Sequence, residues 1–461
     1  LGYLEALRLA EGNVRLSAAL EAAEAHQALG RFQEAGELAD LVLQVPEAPQ
    51  ALRERALAIR LEAGIELGQP ETLGVTPSSA HEPRLRLALA RTLPPAEARR
   101  LLGILPANLE APAHLILARG WLIEGHLARA QAECEMYLDG GATPPAGRFQ
   151  ARLLLSQTLW RQFKLQDAWE ALGEGPSEAL PAWFTALHEA AKAALALDMG
   201  DLTHAERLLG GALVLSEEAP GPCFERVSSV YLRFLEESGQ LAEARSFGEA
   251  AVARTPTPLL LAHLALVYAL TPGQEAALML DRLLRGLDGV ETSEVRALCA
   301  LATGFRARYE GLPARSYLRQ AALLARKVHH PTLYFYALIA LGQELEAQAP
   351  QKALALSQYL LSQTAGRGFE VGHGYARLLR AQTLMSQGRE AASLLEFTPI
   401  TPLAKTWRAA LQGNTVSDDP SASAQTLNGY GILGVWARWL SRSTGANIKA
   451  ERSPSEKDIK Q

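Results

Sequence analysis

Apolar residues recur along most of this chain at i, i+3, i+4 and i+7, the spacing that places them on one stripe of an α-helix. The stripes come in couples, and the couples repeat. Leu20 to Pro49, His114 to Leu138, Lys192 to Leu215 and Val230 to Pro256 each read as two apolar-striped helices joined by a short turn. The first helix of each ends at a glycine: Gly30, Gly125, Gly200 and Gly239. Five residues later stands an alanine: Ala35, Ala130, Ala205 and Ala244. Glycine accepts the left-handed backbone that ends a helix. The alanine marks where the second helix crosses the first, a point at which a larger side chain would push the pair apart.

Following that alanine gives Ala98, Ala130, Ala168, Ala205, Ala244, Ala277, Ala314, Ala353 and Ala391, at steps of 32, 38, 37, 39, 33, 37, 39 and 38 residues. Ala35 opens the series, and a degraded unit at Leu52 to Leu73 fills the gap before Ala98. About ten or eleven helix-turn-helix units follow. A single hairpin cannot bury two apolar stripes, so neighbouring hairpins must stack. The predicted fold is all-α, a right-handed α-solenoid over residues 1–412. Residues 413–426 (GNTVSDDPSASAQT) read as a linker. Residues 427–461 hold Trp436 and Trp439 in an apolar run and then a polar tail. They are an amphipathic cap with a tail, a lone partner-binding helix, or the start of a truncated output domain.

Composition agrees with helix. The 461 residues include 80 alanines, and only 6% are aromatic. Strand-forming Val/Ile clusters are scarce, which excludes a β-sandwich, a barrel or a doubly wound sheet. A net charge of −5 carries no global signature of nucleic-acid or membrane binding. Cys134, Cys223 and Cys299 are widely spaced with no CxxC, so they read as small buried hydrophobes in a reducing compartment. No apolar run is long enough to span a bilayer and no secretory leader is visible, which predicts a cytoplasmic location. The chain begins at Leu1, so a piece of a longer protein is expected.

The motifs Gly30-x-Phe32-x-x-Ala35 and Gly239-x-Leu241-x-x-Ala244, with Pro46 and Pro256 closing their units, resemble the tetratricopeptide (TPR) repeat over residues 14–396. The units are longer than the usual TPR. In that respect, and in Tyr375 to Ala391 (YARLLRAQTLMSQGREA), the chain is similar to the helical-repeat sensor arm of bacterial STAND regulators of the maltose-regulator type. That resemblance implies a non-enzymatic scaffold that captures a protein, a peptide or a small effector. It also implies NTPase and output modules elsewhere in the full protein. The alternative is a standalone adaptor for assembling complexes.

Catalytic and phosphate-binding motifs are absent: there is no GxxxxGK[ST], HExxH or GxSxG. No cofactor or metal is expected. Gly366 to Gly374 reads as a turn between helices, and His329-His330 as exposed turn histidines. Glu217-Glu218, Glu236-Glu237 and Asp418-Asp419 read as solvated surface. In a stacked array the first helices of each unit line the concave side. The candidate partner-binding residues there are His114, Arg119, Trp121, Glu124, Arg233, Glu236, Arg306, Arg308, Tyr309, His373, Tyr375, Arg377 and Arg380. Residues 296–343 carry seven Lys/Arg against the one acid Glu310, a local charge of +6. Within them Arg315, Arg319 and Arg326 form a candidate basic stripe on the convex side, opposite a face read as Tyr317, Ala321, Leu324 and Val328. Direct nucleic-acid binding is not expected.

Overall fold

A computed structural model describes residues 12–69, 80–102, 110–140, 143–271, 273–346, 348–399 and 401–412. The expected linker at 413–426 and the segment 427–461 lie outside the described residues. Among the described residues every element longer than a single 3₁₀ turn is an α-helix. In chain order these are α1 (Gly12–Ala28), α2 (Phe32–Leu43), α3 (Gln50–Glu66), α4 (Pro83–Ala90), α5 (Pro95–Leu102), α6 (Glu110–Ile123) and α7 (Leu127–Asp139). There follow α8 (Pro145–Arg161), α9 (Leu165–Leu172), α10 (Ala182–Met199), α11 (Leu202–Ser216), α12 (Gly221–Glu237), α13 (Leu241–Arg254) and α14 (Pro258–Leu270). The last are α15 (Gln274–Gly286), α16 (Ser293–Glu310), α17 (Arg315–Lys327), α18 (Pro331–Glu346), α19 (Pro350–Thr364), α20 (Glu370–Met385) and α21 (Pro402–Leu411).

Consecutive helices pair and the pairs stack, which is the α-solenoid expected from the sequence. The local signals act as read. Gly30, Gly125, Gly200 and Gly239 all have φ between 71° and 84°. Prolines open many helices at positions where no helical amide is lost. The Asp201 carboxylate accepts the His204 amide at 3.0 Å and caps α11.

The recurring alanines sit at the helix crossings: Ala35, Ala130, Ala168, Ala205, Ala244, Ala314 and Ala353 are fully buried, and Ala98 and Ala391 nearly so. One register differs from the sequence reading. In the α14–α15 unit the buried residue is Ala276, and Ala277 is only half-buried, so the crossing alanine there stands one residue earlier. The last unit differs too: Ala391 leads into a single 3₁₀ turn, Ala392–Leu395, before α21 packs on α20. A third correction concerns α17. Its buried face is Leu318, Ala321, Ala322 and Ala325, while Tyr317 is exposed.

The superhelix is wound tightly enough for successive turns to touch. A Cβ on Gly30 would stand 2.2 Å from the Phe184 ring, which opens α10 roughly five units further on. One on Gly68 would stand 2.7 Å from Pro222 at the start of α12, and one on Gly125 would stand 2.7 Å from His329 before α18. At the equivalent position after α8 the chain uses Phe163, a non-glycine residue at φ 62°. Its ring packs edge-on against Phe335 and Phe369 at 5.7 and 6.1 Å. Burial of that ring against the next turn offsets a left-handed backbone that costs roughly 1–2 kcal/mol. The turn positions therefore do two things: they end the first helix and they form the seam between turns.

Candidate functional site

Because the turns touch, the concave side becomes an axial space lined by the first helices. Two cavities lie along it. The smaller, about 180 Å³, is walled by six successive first helices: α8, α10, α12, α14, α16 and α18. The larger, about 630 Å³, is walled by α3, α4, α5, α6, α8, α10 and α12, with one residue from α7. Leu153, Gln157, Arg161 and Arg226 border both.

Beside the smaller cavity lies a buried polar network that ties three parts of the superhelix together. Asp198, fully buried on α10, accepts from Trp160 Nε1 at 2.6 Å, from Arg233 Nη2 at 2.5 Å and from Thr332 Oγ1 at 3.0 Å. Glu237 accepts from Arg233 Nε at 2.7 Å and from Tyr336 Oη at 2.6 Å. Thr332 and Tyr336 belong to α18, so one arginine and two carboxylates join α8, α10 and α12 to the following turn. A buried charge is tolerated only when paired and hydrogen-bonded in this way.

The network is not complete. Glu236 Oε1, Glu237 Oε2, His263 Nδ1 and Arg161 Nε are buried without a partner among the described residues. Burial, with Glu237 adjacent, pushes the Glu236 carboxyl up to about 8. Burial with Arg233 nearby pulls His263 down to about 4, and burial with Arg161 and Arg233 nearby holds His330 well below its usual range. Both histidines are neutral at pH 7 and Glu236 is largely protonated.

These groups correct two expectations. Glu236 and Glu237 are buried, not solvated, because α12 faces the axis and the next turn covers it. His330 is half-buried with its ring edge on Trp160 at 4.9 Å, and His329 alone of the pair is exposed. Gly366 and Gly368 do lie in a turn joining α19 and α20. Cys134 and Cys223 are buried and Cys299 half-buried, with all three thiols pushed up by burial. No cluster of three potential metal ligands occurs among the described residues. None of their helices is long and apolar enough to cross a membrane.

Of the candidate groove residues, Arg119 lines the larger cavity, while Arg233 and Glu236 line the smaller. The others are engaged elsewhere. His114 Nδ1 meets Glu133 at 2.7 Å within its own hairpin. Trp121 lies between the guanidinium groups of Arg99 and Arg129, and Glu124 pairs with Arg99 at 2.8 Å. Arg306 pairs with Glu310 at 2.6 Å and lies over Tyr309; Arg308 pairs with Glu344 at 2.7 Å. His373 meets Thr364 at 2.9 Å. Tyr375 is buried with its hydroxyl on Thr401, and so is closed to a partner. Arg377 donates to the carbonyls of Ser393 and Leu394 and so holds the final 3₁₀ turn, and Arg380 is half-buried. In the convex stripe Arg319 and Arg326 are exposed, but Arg315 is half-buried and donates to Gln348.

Sequence reasoning missed Asp198, His263 and the arginines Arg161 and Arg226. His263 sits in α14, the most apolar helix among the described residues, and a lone histidine in so apolar a run was the signal for it.

The fold places the chain among helical-repeat proteins with TPR-like α-hairpins. Neither a family model nor a curated protein matches the sequence. Among solved structures it is similar to a chain in the crystal structure of the APC/C hetero-tetramer Cut9–Hcn1. The two share 15% identity over 96% of this chain and 80% of that one, with a TM-score of 0.50. The TPR domain of P58(IPK) matches at 14% identity over 94% of this chain and 99% of that one, with a TM-score of 0.26. The first likeness shows the fold alone.

Proposed function

We propose that this chain is a non-catalytic helical-repeat scaffold that binds a small ligand in its axis. We further propose that it serves as the sensing arm of a larger bacterial signal-transduction or transcriptional regulator in the cytoplasm. The observation that carries the reading is the axial space between touching turns. Touching turns narrow the groove of an open array to partly open cavities, and 630 Å³ is the size of a small-molecule site, not of a protein interface. A ligand there touches helices from successive turns. It therefore binds the tightly wound state better than a loosened one and shifts the balance between them. The sensor-arm assignment draws its support from the resemblance of the repeat units.

The test is native mass spectrometry of the chain after incubation with the low-molecular-mass fraction of a cell extract. The expected result is a small adduct, released unchanged on denaturation. Release of a converted product would indicate an enzyme, and no adduct would refute the sensing reading. A second reading, a protein-assembly adaptor, rests on the outer face of α17. There Leu323, 67% exposed, stands between Arg319 and Arg326. That reading expects a stoichiometric protein partner whose capture is lost with Leu323→Glu and is independent of small molecules.

A further inference from the structure

The larger cavity has a composition that selects its ligand. Part of its lining is apolar, including Leu87, Ile116, Phe149 and Phe184, with the Trp183 and Phe184 rings stacked at 3.9 Å. The rest carries charge. Its carboxylates are already engaged: Glu66 pairs with Arg91, and Glu62 accepts from Gln27 at 2.7 Å. Three further arginines face the space, Arg119 from α6, Arg161 from α8 and Arg226 from α12. None of these makes an ion pair among the described residues. Arg161 Nη1 donates to the Leu122 carbonyl at 3.2 Å, but its Nε is buried with no acceptor. Arg119 and Arg226 are exposed and both line the cavity.

The arginines also stand near others of like charge. Arg119 senses Arg91 and, with opposite sign, Glu66; Arg161 senses Glu294 first and then, with opposite sign, Arg226, while Glu294 also stands 3.7 Å from His330. Guanidinium groups with unused donors that line one cavity and are partly desolvated are favourable around an anion. The Phe149, Trp183 and Phe184 rings in the same lining suit an apolar ring.

We propose that the larger axial cavity binds an aromatic or otherwise apolar organic anion, its phosphate or carboxylate group held by Arg119, Arg161 and Arg226. The inference rests on the small-ligand reading above and adds the ligand's charge. Phosphate esters and polycarboxylates share this chemistry, and the probes below separate them.

The experiment is a thermal-shift and calorimetric titration of the 461-residue chain with phenyl phosphate, phthalate and benzyl alcohol. Saturable binding of phenyl phosphate or phthalate, with none by benzyl alcohol, supports the site; the tighter anion names the source. Arg161→Gln with Arg226→Gln is expected to weaken anion binding roughly ten- to hundredfold, the range for loss of charge-assisted hydrogen bonds. Without anion, the double variant is expected to keep the parent's helical circular-dichroism spectrum and a single cooperative melt, so that weakened binding is read on a folded chain. Arg119→Gln provides a second variant with the same expectations. Equal binding of the neutral alcohol, no saturable binding of either anion, or variants that bind within about threefold of the parent would overturn the proposal. A neutral adduct in the mass-spectrometric test would also overturn it while leaving the sensing reading intact.

Discussion

Replacing Glu236 by Gln isolates one effect of axial burial. The Glu236 carboxyl is buried on α12 beside Glu237, one oxygen unpartnered, and its pKa is pushed from 4.5 up to about 8. The unfolded chain ionises Glu236 near its ordinary value, whereas the folded chain holds the proton. A folded pKa above the unfolded one contributes stability that is fully present below 4.5 and is lost as pH rises toward 8. At about 1.4 kcal/mol per pH unit, that interval sets an upper bound of about 5 kcal/mol. The 180 Å³ cavity next to the carboxyl admits water, which solvates the ionised form, so a loss of about 2 kcal/mol is the working figure. Gln keeps the size and hydrogen-bonding character of the protonated acid and cannot ionise. The assay is urea unfolding of parent and Glu236→Gln at about pH 5 and about pH 9. The two are expected to match at the lower pH, and the variant to be more stable by about 2 kcal/mol at the higher. Parallel stability profiles across that range would show that Glu236 is ionised and solvated, and would remove the argument that the next turn covers α12.

On the acid side, His263 and His330 are held neutral, so their contribution is present above about 6.5 and lost as pH falls toward 4; His263→Phe should flatten part of that fall in the same urea series. Asp198→Ala leaves Trp160, Thr332 and one side of Arg233 without an acceptor, and should cost roughly 3–5 kcal/mol by urea unfolding. Gly125→Ala meets both a positive φ and the His329 ring, so a loss of about 1–3 kcal/mol is expected, with faster hydrogen exchange in α18 as the sign of a loosened seam. Ala276→Leu should lower the melting temperature far more than Ala277→Leu, which tests the register of α15.

The repeat was legible in the sequence because its determinants are local. A glycine that ends a helix, an alanine at a crossing and an apolar stripe each act within one hairpin, and their order does not depend on the rest of the chain. Gly30, Gly125, Gly200 and Gly239 behave as read for that reason. Where the local spacing slipped by one residue, at Ala276, the reading slipped with it.

The candidate site was legible only in part. Arg119, Arg233 and Glu236 lie on the concave faces, as the helix periodicity placed them, and they do border the axial cavities. Periodicity fixes which way a side chain points from its own helix. It does not fix how far one hairpin rotates against the next, and that small rotation, summed over about five units, decides whether the concave side is open or filled. Here it brings Phe163 onto Phe335 and Phe369, and Asp198 onto Thr332, 134 residues away. Only the tertiary structure could turn Glu236 and Glu237 from an ordinary acidic pair into buried groups, and Arg161 and Arg226 into neighbours across a cavity. The sequence determined the hairpin; the accumulated rotation between hairpins, set by packing at the seams, decided what the interior holds.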